Sequence, residues 1–460
     1  MVPQMSVVVV SNRGPLSFGF GSDGELVTRR AAGGLASTLG AAVQGSGATW
    51  VAAAITEADR AAAAKGSVEA EGFRLESLVV DDDAYRMFYD VISSGTLWYL
   101  FHNLFDLPRR PRIDRRWREA WAAYRSVNEQ FAAKAADVAD EGATVLVHDY
   151  HLLLVGRMLA DRRPDLRSVH FSHTPFCEPM TIRVLPDDVA VELFEGMAGY
   201  RSCGFHSPRW AANFRACSEA VIGHTPPTYV SYAPADADDI SDVAASPACA
   251  EQLASLENRI GDRQAIVRVD RIELSKNLLR GFHAFEDLLQ HRPEFRQRVV
   301  FAASVYPSRE GLADYLAYRQ EVQSLAERIN ETWATADWTP ILLDMSDNFA
   351  RSVAALRRYD VLLVNPIRDG LNLVAKEGAI VNERDGVLVL SREAGVYDVL
   401  AEHALAINPF DVSGTADAIA DALTMAGDER KQRAAALREI AVARSSADWL
   451  AEQLEAAHSS

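Results

Sequence analysis

Charged side chains recur just past short apolar runs in this sequence, at the positions where doubly wound sheets collect ligands. Arg13 follows four valines within Ser11-Asn12-Arg13-Gly14. Its forked donors suit a phosphate or a polyol, although an Arg after a strand is also an ordinary surface charge. Asp149 sits in His148-Asp149-Tyr150-His151, at the end of the run Thr144–His148. A carboxylate there can hold sugar hydroxyls. His173 closes the next run in Ser172-His173-Thr174-Pro175. It can bond a sugar hydroxyl or steady charge at a reacting carbon, and a structural histidine is the competing reading. A metal reading of His-x-x-His is poor, because this spacing along a strand end does not converge two imidazoles on one ion. Tyr89 and Trp98 stand nine residues apart. Their faces suit sugars and the Tyr hydroxyl suits a phosphate, with core packing as the alternative. Ala31-Ala32-Gly33-Gly34-Leu35 opens a helix whose first amides suit an anion, but a single Gly-Gly is no dinucleotide fingerprint.

The later half repeats the pattern. Arg271 and Lys276 flank a turn after an apolar run and precede a helix, which makes a diphosphate clamp or a pair of solvated charges. Arg309 adds a cation after a further run. Arg368 to Glu377 reads Arg-Asp-Gly-Leu-Asn-Leu-Val-Ala-Lys-Glu. Here Asp369 and a turn at Gly370 precede a helix expected to begin near Asn372. The amides of 370–373 face a phosphate and sugar hydroxyls, and Glu377 reaches ribose hydroxyls or merely complements the helix dipole.

These residues need elements to carry them. Runs of four to six apolar residues with little alternation read as strands buried on both faces: 6–11, 50–55, 144–148, 168–172, 265–269, 299–303, 361–364 and 387–390. Amphipathic stretches at 116–139, 277–292 and 311–331 lie between them, which predicts α/β doubly wound sheets. Residues 233–251 are acidic and rich in Pro and Ala, and read as a connection between two domains. The stretch 436–460, with Trp449, reads as a helix either on its own domain or docked back on the first. The 460 residues carry a net charge of −17, which disfavours nucleic acid and anionic membranes as bulk partners. Four cysteines without a Cys-x-x-Cys give neither a zinc site nor a disulfide scaffold. The N-terminal residues show no signal-peptide pattern, so the expectation is a cytoplasmic, soluble protein without metal or cofactor.

Together these strings resemble the trehalose-6-phosphate synthase family of retaining glycosyltransferases, from Ser11-Asn12-Arg13 to Trp449. The segments at 148–151 and 368–377 are the specific signals. The resemblance implies the GT-B architecture, two Rossmann-like domains with the active site in the cleft between them. Residues 1–235 would form the acceptor domain, 236–435 the donor domain, and 436–460 would return to the first. It implies glucose transfer from a nucleotide-glucose to glucose 6-phosphate, giving α,α-trehalose 6-phosphate. Arg13, Tyr89, Trp98, Asp149 and Arg309 would hold the acceptor, with Arg13, Tyr89 and Arg309 on its phosphate. Gly34, Arg271 and Lys276 would hold the donor diphosphate. His173, Asp369 and the amides of Gly370, Leu371, Asn372 and Leu373 would hold the donor glucose, and Glu377 the ribose. Asp149, His173, Arg271 and Lys276 form the implied catalytic set.

The resemblance also places a base-pocket loop at 343–348. Asp344 there can accept from the two N–H groups of guanine, which tips the reading slightly toward GDP-glucose over UDP-glucose; a solvated loop charge is the alternative. No carboxylate pair for double displacement is evident, so the covalent route lacks a nucleophile; the resemblance implies front-face transfer. The sequence departs from the family at Leu274, at Asn277 and over 232–236. The rivals are a pseudo-glycosyltransferase acting on cyclitols, a silent sugar-phosphate-binding regulatory module, and a nucleotide-sugar epimerase. The expected partners are the two small substrates, with a homo-oligomer left open.

Overall fold

All eight of those apolar runs form strands in the computed structural model, which describes residues 6–30 and 34–459. The chain divides into two compact units, one of Met1–Ala233 with Ser446–Ser460, the other of Pro234–Ser445.

The first unit holds β1 (Val7–Ser11), β2 (Leu16–Phe20), β3 (Leu26–Arg30), β4 (Thr49–Ala53), β5 (Val68–Ala70), β6 (Phe73–Leu78), β7 (Thr144–His148), β8 (Arg167–Ser172), β9 (Ser202–Phe205) and β10 (Thr228–Val230). β2 and β3 make a separate hairpin. The others form one sheet in the order β10-β9-β8-β7-β1-β4-β6-β5, parallel except for β5 at the edge. The chain leaves β1 toward β4 and later returns to its other side at β7. The carboxyl ends of β1 and β7 therefore bound a topological switch point, where such sheets bind ligands. Val8, Val9 and Val10 are fully buried at the sheet centre, which is why this stretch does not alternate.

The second unit repeats the plan with β11 (Gln264–Arg271), β12 (Val299–Tyr306), β13 (Ile341–Asp344), β14 (Val361–Val364), β15 (Val387–Ser391) and β16 (Leu405–Ile407). The order β13-β12-β11-β14-β15-β16 is fully parallel, with the switch between β11 and β14.

Two expectations are corrected here. The stretch 233–251 is no bare connection: it contains helix Ala237–Ala245 and the start of helix Pro247–Ile260, both in the second unit. Asp236 and Ser246 cap these helices, Pro247 occupies a first-turn position, and the alanines favour helix despite the missing large apolar groups. Nor does the chain return at 436. Helix Gly427–Val442 stays with the second unit, and only helix Ser446–His458 belongs to the first. Trp449 on that last helix is fully buried and meets Phe171 of β8 edge-on at 5.2 Å. Leu450, Leu454 and Ala457 pack with Leu146 and Val169. Replacing Trp449 by Ala is expected to destabilise the first unit by about 3–5 kcal/mol, the usual range for emptying a buried aromatic site. Urea unfolding should show its transition moving while that of the second unit stays in place.

Candidate functional site

In the first unit the site is built on the ends of β1, β7 and β8. Ser11 Oγ accepts from Trp50 Nε1 at 2.8 Å and donates to Arg13 O at 2.6 Å, which pins the turn that presents the exposed Arg13. Asn12 Oδ1 accepts from Tyr85 at 3.2 Å. Asp149 has φ 74° and ψ 167°, a region that essentially only glycine enters. That conformation costs about 1–3 kcal/mol and persists only when its surroundings impose it. They do so here: its amide donates to Phe171 O at 2.8 Å and its carbonyl accepts from Leu152 N at 3.1 Å. Oδ1 of Asp149 accepts from the His173 amide at 3.3 Å.

Tyr89 lies within a π-helix, Met87–Leu97, and Trp98 follows directly after it. At about 4.4 residues per turn, nine residues make two turns, so both rings fall on one side; an α-helix would set them opposite. The wide turn is held by Ser93 and Thr96, whose hydroxyls each donate to a carbonyl five residues back at 2.8 Å. It also needs Gly95, because a Cβ there would come within 2.8 Å of Asp90 O. Tyr89 lies near-parallel to Tyr85 and His151, with centroids at 5.8 and 5.7 Å. The ring is thereby fixed, and the hydroxyl is the polar group it offers. Trp98 is buried and stacks on His102 at 3.9 Å.

His173 stands between two other imidazoles. Its Nε2 is 3.1 Å from His148 Nδ1, and its Nδ1 is 3.3 Å from His206 Nε2. His170 Nε2 is 3.1 Å from the Asp149 carbonyl, which can only accept, so that nitrogen carries the proton. Burial pushes these rings toward the neutral form. His170 is lowered to about 4 and His173 to about 3, and His148 falls well below the ordinary value, with neighbouring imidazoles adding to the effect for His148 and His173.

In the second unit Arg271 and Lys276 follow β11. Arg271 is 3.1 Å from Glu273, and Arg309 donates to the same oxygen, which also accepts from Ser308 at 2.8 Å. Burial opposes ionisation of Glu273, but Arg271, Arg309 and Lys276 outweigh it and hold the carboxyl down at about 2. Lys276 Nζ is 2.5 Å from Asp369 and 3.9 Å from Asp270. Beneath them Arg268 is fully buried, donating to Asp270 at 3.0 Å, to Asn365 at 2.6 Å and to the Lys276 carbonyl. Gly281 makes room for it, since a Cβ there would lie 2.6 Å from the guanidinium.

The loop at Asp369–Leu371 is fixed by Glu393 O, Gly395 N and Val396 N. Gly395 has to lack a side chain, since a Cβ would meet Gly370 O at 1.8 Å. The helix after it begins at Val374 and not at Asn372. Asn372 has φ 81°, donates to Asp369 at 3.1 Å and accepts from Ala375 N at 3.3 Å, so it serves as a side-chain cap just outside the helix. Glu377 is half-buried, and burial together with Asp239 raises its carboxyl to about 7, against the pull of Lys276. The oxygens of Asp344 already accept from Ser346 N at 3.0 Å, Ser346 Oγ at 2.7 Å and Arg351. Arg351 in turn reaches Gln252 at 2.9 Å.

Arg13, Tyr89, Trp98, Asp149 and His173 thus lie on the first unit, and Arg271, Lys276, Arg309, Asp344 and Asp369–Glu377 on the second. Ala31–Gly33 lie outside the described residues; Gly34 opens helix Gly34–Val43. Among the described residues no group of His, Cys, Asp or Glu is placed to hold a metal ion, and no helix is long and apolar enough to cross a membrane.

The sequence profile of glycosyltransferase family 20 matches residues 5–459. The chain belongs to glycosyltransferase family 20. It is 33% identical over 95% of its length to the bifunctional trehalose-6-phosphate synthase/phosphatase of Thermoproteus tenax, and the match spans 61% of that longer protein. The trehalose-6-phosphate synthase of E. coli bound with UDP-2-fluoro glucose superposes with a TM-score of 0.85 at 28% identity, covering 99% of each chain. The UDP-forming α,α-trehalose-phosphate synthase of Burkholderia xenovorans in complex with glucose-6-phosphate does so with a TM-score of 0.85 at 27% identity, covering 99% of this chain and 100% of that one. The two parallel-sheet units have the GT-B fold of this family.

For this family 20 chain, motif reading missed Glu273, Arg268, His170 and His206. A titratable residue inside an apolar run was the one signal, for Arg268 within 265–269 and for His170 within 168–172; the other two had none. The buried histidines carry a consequence for stability. Their folded-state pKa values lie below the ordinary 6.5, so the unfolded chain takes up protons first as the solution acidifies. The neutral-imidazole contribution is complete above about pH 6.5 and is lost as pH falls toward 4 and 3, by about 1.4 kcal/mol per pH unit for each histidine titrating. Urea unfolding of the first unit between pH 7 and 5 should show this decline with net proton uptake; a flat profile would contradict it.

Proposed function

We propose that this protein is a retaining glycosyltransferase that moves glucose from a nucleotide-glucose to glucose 6-phosphate, forming α,α-trehalose 6-phosphate. Membership of family 20 supports the reading, as do the synthases among its relatives. The observation that carries it is the cation pair at the switch point of the second sheet: Arg271 braced by buried Glu273, and Lys276 held between Asp270 and Asp369. Two fixed cations at a strand end suit a departing diphosphate and take up the charge that grows on it in the transition state. Asp369 would then exchange Lys276 in part for donor-sugar hydroxyls. Arg13, the Tyr89 hydroxyl and Arg309 would take the acceptor phosphate. Asp149, held by its neighbours, would orient the acceptor hydroxyls. The acceptor's anomeric hydroxyl gives its proton to the leaving phosphate as it attacks from the same face, so the protein mainly positions both sugars.

UDP-glucose is the donor we put first. The Asp344 carboxylate that would read guanine is already engaged by Arg351 and Ser346, and the Burkholderia xenovorans relative is named as UDP-forming. GDP-glucose is the second reading. Incubation with each nucleotide-glucose and glucose 6-phosphate, with product mass and anomeric configuration determined, tests both; no transfer from any donor refutes the activity. Arg271→Ala should lower turnover by about 10²-fold or more with the fold intact, because Glu273 keeps Arg309. Near-normal turnover would break the clamp assignment. Glu377 as ribose acceptor must be ionised, so the donor KM should rise as pH falls through about 7. Steady-state kinetics should show that rise flattened in Glu377→Gln.

A further inference from the structure

His206 follows β9 in Gly204-Phe205-His206-Ser207 and is buried, edge-on to Phe171 at 4.8 Å. Its two ring nitrogens face opposite ways. Nδ1 lies 3.3 Å from the backbone N of Ala233, the last residue of the first unit before Pro234. Nε2 lies 3.3 Å from His173 Nδ1. A backbone N–H can only donate, so His206 Nδ1 accepts and a neutral His206 carries its proton on Nε2. That proton points at His173 Nδ1, which therefore accepts, so His173 carries its own proton on Nε2. His173 Nε2 then donates to His148 Nδ1 at 3.1 Å, and His148 carries its proton on Nε2. One backbone amide thus decides the tautomer of three rings in series. The series meets the candidate site at its middle residue, because the backbone amide of His173 donates to Asp149 Oδ1.

We infer that His206 is a positioning residue, fixing the Nε2–H tautomer and the orientation of His173 and, through it, the Asp149 carboxylate. The inference rests on the proposed role of Asp149 in orienting the acceptor hydroxyls. Cutting the series at His206 releases His173 to take either tautomer and to turn. Gln at 206 retains a carbonyl for the Ala233 N–H and an N–H for His173 Nδ1, whereas Leu retains neither.

The test compares His206→Leu and His206→Gln with the unaltered protein, by 15N spectra of labelled histidine side chains and by steady-state kinetics. The expected result is a single Nε2–H pattern for His173 in the unaltered protein and in His206→Gln, and a mixture of tautomers in His206→Leu. Turnover of His206→Leu should fall about tenfold, with thermal unfolding showing a folded protein, and His206→Gln should recover most of it. An unchanged His173 pattern in His206→Leu would overturn the inference, as would a mixture with unaltered turnover. Absence of transferase activity in the unaltered protein would instead fail the reading on which this rests, and the spectra would still report whether His206 sets the tautomer.

Discussion

The buried guanidinium of Arg268 is the constraint on which the second unit's chemistry depends. A lone charge at that depth would be prohibitive, and the strand run around it is otherwise apolar. It is tolerated because Asp270, Asn365 and the carbonyl of Lys276 surround it with acceptors. Those partners come from β11, from the turn after it and from the end of β14, the three segments that bound the switch point. Satisfying one cation therefore fixes the backbone that presents a second, Lys276, and sets the distance to Asp369. The same logic runs outward through Glu273, which is buried between Arg271 and Arg309 and stays ionised because both are there.

Strain marks the same places. Eight described residues other than glycine have positive φ, and four of them are Asp149, Asn277, Arg309 and Asn372. Each lies in the connection that follows a strand, where the chain turns and carries a polar side chain. Asn277 illustrates the compensation: its amide donates to Asn365 O at 3.0 Å and to Pro409 O at 2.8 Å. The side chain at this departure from the family pattern is thus engaged within the core of the second unit. Backbone held away from its preferred conformation by many hydrogen bonds is well suited to sites that must be ready before a ligand arrives.

The parts of the molecule legible in the sequence were those written as uninterrupted hydrophobicity. The long apolar runs became the central strands, and the charged residues just past them became the candidate site. Short edge strands such as β5, β10 and β16, three residues each, carry too little pattern to stand out. The π-helix was invisible because its cause is a set of small residues, Ser93, Gly95 and Thr96, whose effect depends on packing around them. Glu273 and His206 were missed because their partners lie far along the chain or on its backbone. The helices at 237–260 were misread because alanine-rich sequence lacks the large apolar stripe on which periodicity relies.

The helix carrying Trp449 closes the first unit, yet every residue of the second unit precedes it in the chain. On a ribosome the second sheet is therefore made while the first still lacks the tryptophan that covers Phe171 and His148. The nascent first unit must wait, with that apolar surface open to chaperones or to wrong partners, until translation has passed Ser446. Maturation of the two halves is coupled in time by the order of synthesis, and a ribosome stalled anywhere in the second half leaves the first half unfinished.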